Sequence, residues 1–282
     1  MVLITRNGQR TVREQLDAVA AQEWDQSWEL LVIDNASDDD TPNILAEFQR
    51  RNPAVRLVNA NDNLGAGYAR NVGIRAALGR YIAFVDDDDR VGQGWLSAIG
   101  TAVIEHEYVG ARLEVDELNE PGVRSSRSPA QQGAVDRFCG VGVCAAPLMA
   151  VSREWLLAVG GCDEEIWPED TDLALRLYSK YLREPFFCSD AIYHYRLRCQ
   201  PLEIYRQSFR YGLVRPLLLK RWRHVLKPPA RRGRVAWAEW SRLVLSAPRA
   251  LSSRDRRLRW LRRVGTRVGH LVGTVKHRSW WP

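Results

Sequence analysis

Short apolar runs alternate with segments of helical period along the N-terminal part of the chain. Val2-Leu3-Ile4 is apolar throughout, and Thr11 to Ala21 then carries Val12, Leu16, Val19 and Ala20 at helical spacing. Glu29 to Ile33 has a buried-strand pattern that ends on Asp34. Thr41-Pro42 opens a second helix with proline in its first turn, and Val55 to Val58 is a third strand. Asn71 to Leu78 predicts a helix closed by Gly79. Tyr81 to Val85 is a fourth strand that runs straight into Asp86-Asp87-Asp88-Asp89. Strands alternating with helices predict an α/β fold whose mostly parallel sheet is covered on both faces.

The middle of the chain is less regular. Glu114 to Gly133 is polar, with prolines and serines, and reads as a loop or edge hairpin. Ala145 to Val151 predicts a buried strand and Arg153 to Val159 a helix, broken by Gly160-Gly161. Helical period resumes from Thr171 to Leu182, and Ala191 to Leu197 is a last strand. Beyond Pro201 the pattern is helical and rich in Arg and Trp, with interruptions expected at Pro228-Pro229 and Pro248. The expected division is therefore one domain over 1–200 and a helical extension over 201–282.

Charge sharpens that division. Residues 1–200 carry 20 Lys and Arg against 31 Asp and Glu, a net of −11, whereas 201–282 carry 21 against 3, a net of +18. An acidic body with a basic tail points to two different jobs. The five cysteines form no CxxC pair and no metal-type spacing, which fits free thiols in a reducing compartment. With no apolar run near the roughly 18 residues of a spanning helix and no signal-peptide pattern, the chain is expected in the cytoplasm.

Ligands of an open parallel sheet bind beyond the carboxyl ends of its strands, where Asp34 and Asp86 fall. Four successive aspartates repel one another unless a cation offsets them, and a hard divalent ion such as Mg2+ or Mn2+ is the simplest partner. A solvated acidic turn is the alternative. Asn63 to Gly73 is glycine-rich at the start of a helix, where backbone N–H groups favour an anion, and Arg70 adds a fixed positive charge. Taken alone, a glycine-rich turn before a helix is usually just a turn. Glu169-Asp170-Thr171-Asp172 opens a helix, either as capping carboxylates or as the setting of a general base. His194, between Tyr193 and Tyr195, becomes of interest only once a metal is required.

Together these stretches resemble the family 2 glycosyltransferases, whose domain has the GT-A fold. Ile4 to Asn7 resembles that family's first strand and turn, and Val32 to Thr41 its second-strand motif. Asn63 to Gly73, then Gly79 to Asp89, is similar to the stretch leading into its metal-binding DxD. Met149 to Arg176 resembles its acceptor-side motif. The resemblance implies an inverting transfer from a nucleotide-sugar donor to a carbohydrate or lipid-linked acceptor, with Mg2+ or Mn2+. It implies that Thr5, Asp34, Arg70, Asp86 and Asp87 hold the nucleotide sugar, and that Asp88, Asp86 and His194 serve the metal. Asp170 would be the base, with Glu169 placing the acceptor. Two departures stand out: few residues precede the first strand, and Cys162 stands where an aromatic is usual.

In the tail, Leu261, Val264, Val268, Leu271 and Val275 form one helical stripe, and Gly265, Gly269 and Gly273 recur every fourth residue. Arg257, Arg259, Arg262, Arg263, Arg267 and Lys276 surround the stripe, and Trp280-Trp281 follows it. This combination suits an anionic membrane surface on the inner face of the cell membrane, or alternatively a helix packed back on the domain. Nucleic acid is not expected as a partner. Two other readings of the whole chain are a nucleotidyltransferase, for which Thr5 to Arg10 makes a poor triphosphate turn, and a catalytically inactive scaffold.

Overall fold

The computed structural model describes residues 1–124, 132–227, 232–250 and 252–279. Two compact units emerge, one of Met1–Glu117, Ala130–Asp136 and Gly142–Arg196, the other of Leu118–Pro129, Arg137–Val141 and Leu197–Pro282.

In chain order the strands are β1 (Val2–Thr5), β2 (Leu31–Asp34), β3 (Arg56–Asn59), β4 (Tyr81–Asp86), β5 (Arg90–Val91), β6 (Tyr108–Glu114), β7 (Asp136–Phe138), β8 (Val141–Val143), β9 (Met149–Ser152) and β10 (Phe186–His194). The helices are α1 (Val12–Ala20), α2 (Thr41–Arg51), α3 (Ala66–Ala76), α4 (Trp95–His106), α5 (Pro121–Arg124), α6 (Arg153–Ala158), α7 (Glu169–Tyr181), α8 (Pro201–Arg221), α9 (Arg232–Ala250) and α10 (Arg254–Lys276).

The first unit is built on an eight-stranded sheet in the order β3-β2-β1-β4-β9-β6-β10-β5. β1 to β4 run parallel to one another, and β6 runs parallel to β10. β9 lies antiparallel between β4 and β6, and β5 is antiparallel to β10. Val2, Leu3, Leu31, Val32, Ile33, Phe84 and Val85 are all buried, because helices cover both faces of a central parallel strand. Apolar runs without alternation therefore form the middle of this sheet.

Some boundaries differ from the sequence pattern, each for a physical reason. α3 starts at Ala66, five residues before the expected Asn71. Its first turns carry glycines instead of apolar periodicity. Gly73 lets α3 lie against β1, since a Cβ there would overlap the Val2 side chain. α4 and β6 have no counterpart in the pattern, because α4 is apolar on most of its surface and β6 is buried along most of its length. β10 begins at Phe186, ahead of the expected Ala191. Pro248 does not interrupt the tail: it lies inside α9, near its C-terminal end. Pro228-Pro229 and Trp280-Trp281 lie outside the described residues.

In the second unit α10 runs along α8 in the same direction. Cβ atoms built on Gly265, Gly269 and Gly273 would meet the backbone carbonyls of Tyr205, Phe209 and Leu213, which are also four residues apart. The glycine row is buried with Leu258, whereas Leu261, Val264 and Val268 are half-buried and Leu271 and Val275 exposed. The face seated on α8 is thus the glycine row and not the apolar stripe. Gly269→Ala should push the helices apart and lower stability by about 1–3 kcal/mol, the usual cost of overpacking. A thermal melt unchanged from that of the parent chain would show that this approach carries no stability.

Candidate active site

β1, β2 and β4 lie side by side, so their carboxyl ends bring Thr5, Asp34 and the aspartates after Val85 to one edge of the first unit. Thr5 is buried, and its hydroxyl donates to Asp87 Oδ2 at 2.5 Å. Gly8 leaves room for this contact, since a Cβ there would overlap the same oxygen. Burial pushes the Asp87 carboxyl up to about 7, against the Thr5 hydrogen bond and with the neighbouring charges of Asp88 and Asp86 adding to the rise. Asp34 Oδ1 accepts from Ser37, from Oγ at 2.6 Å and from the amide at 3.2 Å. The next residue, Asn35, is buried and ties three segments together. Its amide nitrogen donates to the carbonyls of Ala60 and Asn63, and its oxygen accepts from the Gly65 amide at 2.8 Å.

α3 carries Arg70 into the interior, where it is 3% exposed. One guanidinium nitrogen meets Asp86 Oδ1 at 2.5 Å and the other binds Glu169. Burial alone would lower the pKa of Arg70, but the two carboxylates override it and hold the group above its ordinary value. Arg70 therefore links the end of β4 to the start of α7. Asp170, beside Glu169, is half-buried, and its Oδ1 accepts from the Thr171 amide at 2.6 Å and the Thr171 hydroxyl at 3.2 Å. Burial, and then the charge of Glu169, push the Asp170 carboxyl up to about 6, while Arg70 and Thr171 pull it down. Asp172 is fully enclosed and bound by Arg176 Nε at 2.8 Å, and Arg176 also donates to the Val159 carbonyl. It braces α7 from within.

Asp86, Asp88 and Asp89 can bring carboxylate oxygens within 4.8 Å of one another. Asp89 Oδ1 is already committed to the Arg196 amide at 2.7 Å, whereas Asp88 is exposed. An all-oxygen donor set of crowded negative charge fits a hard divalent ion. His194 belongs to a different cluster: Nδ1 lies 2.6 Å from Glu114 and Nε2 3.3 Å from Glu117. Burial would raise the Glu114 pKa, but the bonds from His194 and from the Asp116 and Glu117 amides hold it below the usual range. The structure thus gathers Asp86 and Asp88 in one group and sets His194 in another.

Sequence reasoning passed over two residues that hold this edge in place. Gln15, fully buried on α1, donates to the Asp86 carbonyl at 2.9 Å and accepts from the Val91 amide at 3.0 Å, bracketing the aspartate run. Tyr193 accepts from the Asp86 amide at 3.0 Å. A signal existed for Gln15, which interrupts the apolar face that Val12, Leu16 and Val19 define. Among the described residues no helix is long and apolar enough to cross a membrane.

The family model described as glycosyl transferase family 2 matches residues 1–160. The chain is 36% identical over 118 residues to the succinoglycan biosynthesis protein ExoO of Rhizobium meliloti, covering 42% of this chain and 32% of that one. It spans about a third of the length of such curated relatives. Among solved structures it is similar to the mannosyltransferase PcManGT of Pyrobaculum calidifontis in complex with GDP-Man and Mn2+. The TM-score is 0.60 at 18% identity, over 94% of this chain and 85% of that one. It is also similar to TarS 1–349 of S. aureus in complex with UDP-GlcNAc, with a TM-score of 0.57 at 18% identity, over 100% of this chain and 92% of that one.

Proposed function

The chain belongs to glycosyl transferase family 2, and on that premise we propose that it moves a sugar from a nucleoside-diphosphate sugar to an acceptor hydroxyl, with inversion at the anomeric carbon. One observation carries the reading: Arg70 joins Asp86, at the end of β4, to Glu169, the neighbour of Asp170. Arg70 thus ties the strand-end aspartates to the neighbour of a carboxylate with a raised pKa. Asp170 accepts the proton of the acceptor hydroxyl as its oxygen attacks the anomeric carbon. The bond to the diphosphate oxygen breaks on the opposite face, which inverts the centre. When bound, a divalent cation held by Asp86 and Asp88 supplies positive charge against the departing diphosphate. Thr5, Asp34 and Asp87 line the nucleotide side, and Glu169, held by Arg70, sets the acceptor side.

The acceptor we infer belongs to cell-surface polysaccharide, glycolipid or glycosylated-metabolite synthesis, and the relative named for succinoglycan biosynthesis supports the first of these. A panel of nucleotide sugars, incubated with and without Mg2+ or Mn2+, tests the reading through binding and slow donor hydrolysis. At least one donor should be hydrolysed only with metal. A panel in which no donor is bound or cleaved under any condition would overturn it.

The second unit attaches the enzyme peripherally to an anionic membrane surface. Support comes from the net charge of +18 over 201–282 and from Leu271 and Val275, 51% and 75% exposed, beside the arginines of α10. Each basic residue near such a surface contributes on the order of 1 kcal/mol, and salt screens it. Because α10 is seated on α8, point changes test this better than truncation. Leu271→Glu with Val275→Glu should weaken binding to anionic vesicles by at least about 10-fold, since the apolar insertion is lost. Both sites are exposed, so stability should move by no more than about 0.5 kcal/mol. Equal vesicle binding by parent and variant would remove the stripe from this role.

A further inference from the structure

We propose that Asn71 is a positioning residue for the transfer reaction, acting through the 161–164 turn on the placement of Asp170. The inference rests on the reading of Asp170 as the base. Asn71 follows Arg70 on α3 and is 6% exposed. Its oxygen accepts from the Cys162 amide at 2.7 Å. Its nitrogen donates to the Cys162 carbonyl at 2.9 Å and to Glu164 Oε1 at 2.8 Å. Only an amide in this orientation serves a donor and two acceptors at once, so the pairing selects asparagine over aspartate. Glu164 Oε2 also accepts from Asn63 at 3.4 Å, in the loop that leads into α3.

The backbone around these bonds is fitted to them. Gly161 sits at φ +69°, and a Cβ there would overlap the Asn71 oxygen. One helical turn earlier, a Cβ on Gly67 would stand 3.0 Å from the Asp163 carbonyl. Gly67 and Asn71 are four residues apart, so one face of α3 receives the whole 161–164 turn. The adjacent Arg70 binds Glu169 and Asp86 from the same helix. Two successive residues of α3 therefore set both ends of the segment from Cys162 to Glu169, and with it the distance of Asp170 from the β4 aspartates. A displacement of about 1 Å at a reacting group can cost about 100-fold in rate, while donor affinity follows contacts made elsewhere.

The test uses the full chain and metal-dependent donor turnover, with kcat and donor KM measured separately. Asn71→Asp keeps the acceptor for the Cys162 amide but sets a carboxylate against the Cys162 carbonyl and Glu164. Its kcat should fall about 10- to 100-fold with donor KM within about twofold. Adding Glu164→Gln supplies an amide donor to the introduced carboxylate and should restore several-fold of the lost kcat, a coupling that generic destabilisation does not produce. Glu164→Ala, at an exposed residue, guards against a misfolded Asn71 variant and should lower kcat several-fold at constant KM. A kcat within twofold of the parent for Asn71→Asp, or for Glu164→Ala where the former does not fold, overturns the proposal. So does an equal loss in the single and double variants, or a KM that rises in step with the fall in kcat. Asp170→Asn run alongside separates the two levels. Full activity there sinks the base reading and this proposal together, whereas the expected loss there with undisturbed Asn71 variants sinks the role of Asn71 alone.

Discussion

Asp170→Asn should lower turnover at least about 100-fold, the lower range for loss of a general base, and leave donor affinity nearly unchanged. The substitution keeps an oxygen that can accept from the Thr171 amide and hydroxyl, so the start of α7 should hold its shape. It removes a charge that the fold disfavours. The carboxyl rises from 3.8 to about 6 on folding, chiefly through burial. Between those values the folded chain binds more protons than the unfolded one, so this group adds stability as pH falls through that window and opposes folding above it. The variant should therefore melt no lower than the parent at neutral pH. A base must be ionised to act, so parent kcat should decline as pH drops below about 6, and that limb should be missing from the variant's residual rate. Kinetics with donor saturating, paired with a thermal melt, check both halves. Transfer at near-parental rate would remove the base role from Asp170. Asp172, enclosed and bound by Arg176, is poorly placed to inherit it.

A second large effect is expected at Asp88. Asp88→Asn should weaken metal-dependent binding of a nucleoside diphosphate by at least about 10- to 100-fold, the loss that even an outer-shell partner costs a metal site. Asp88 is exposed and lies in a run of four aspartates, so easing the local repulsion should not harm the fold. Calorimetric titration with Mn2+, and again in excess chelator, distinguishes a metal ligand from a bystander. Undiminished affinity in the variant, or in chelator, would sink the assignment. Asp86 is a less clean probe, because its carboxylate also holds Arg70 and a change there would disturb the bridge to Glu169.

Most of the sheet and much of its chemical edge were legible from residue order. Runs such as Leu31 to Ile33 and Ile82 to Val85 are apolar without alternation, and only strands covered on both faces need that pattern. Their ends at Asp34 and Asp86 then follow from the place where such sheets bind ligands. α4 and β6 were not legible, since α4 is apolar over most of its sequence and β6 is buried along most of its length, so neither shows an alternation that marks its period. The first turns of α3 were hidden for the opposite reason. Gly67 and Gly73 are there for close approach, and their packing partners, Asp163 and Val2, are remote in the chain.

The glycine row of α10 was visible as a four-residue repeat, but its partner was not, because the matching carbonyls of α8 carry no side-chain signature. The same limit applies at the site. By itself the sequence determined the strand-end aspartates, the acidic start of α7 and the charge division between body and tail, because these are local patterns of period and charge. Only the tertiary structure decided that Arg70 spans Asp86 and Glu169, that His194 sits with Glu114 and Glu117, and that Asn71 grips Cys162 and Glu164. Those are pairings between residues up to 99 positions apart, and their partners are chosen by how α3 packs against β4 and the segment leading into α7 and by how β10 pairs with β6. Once the interior excludes water, each buried polar group must take whatever complementary atom that packing brings to it.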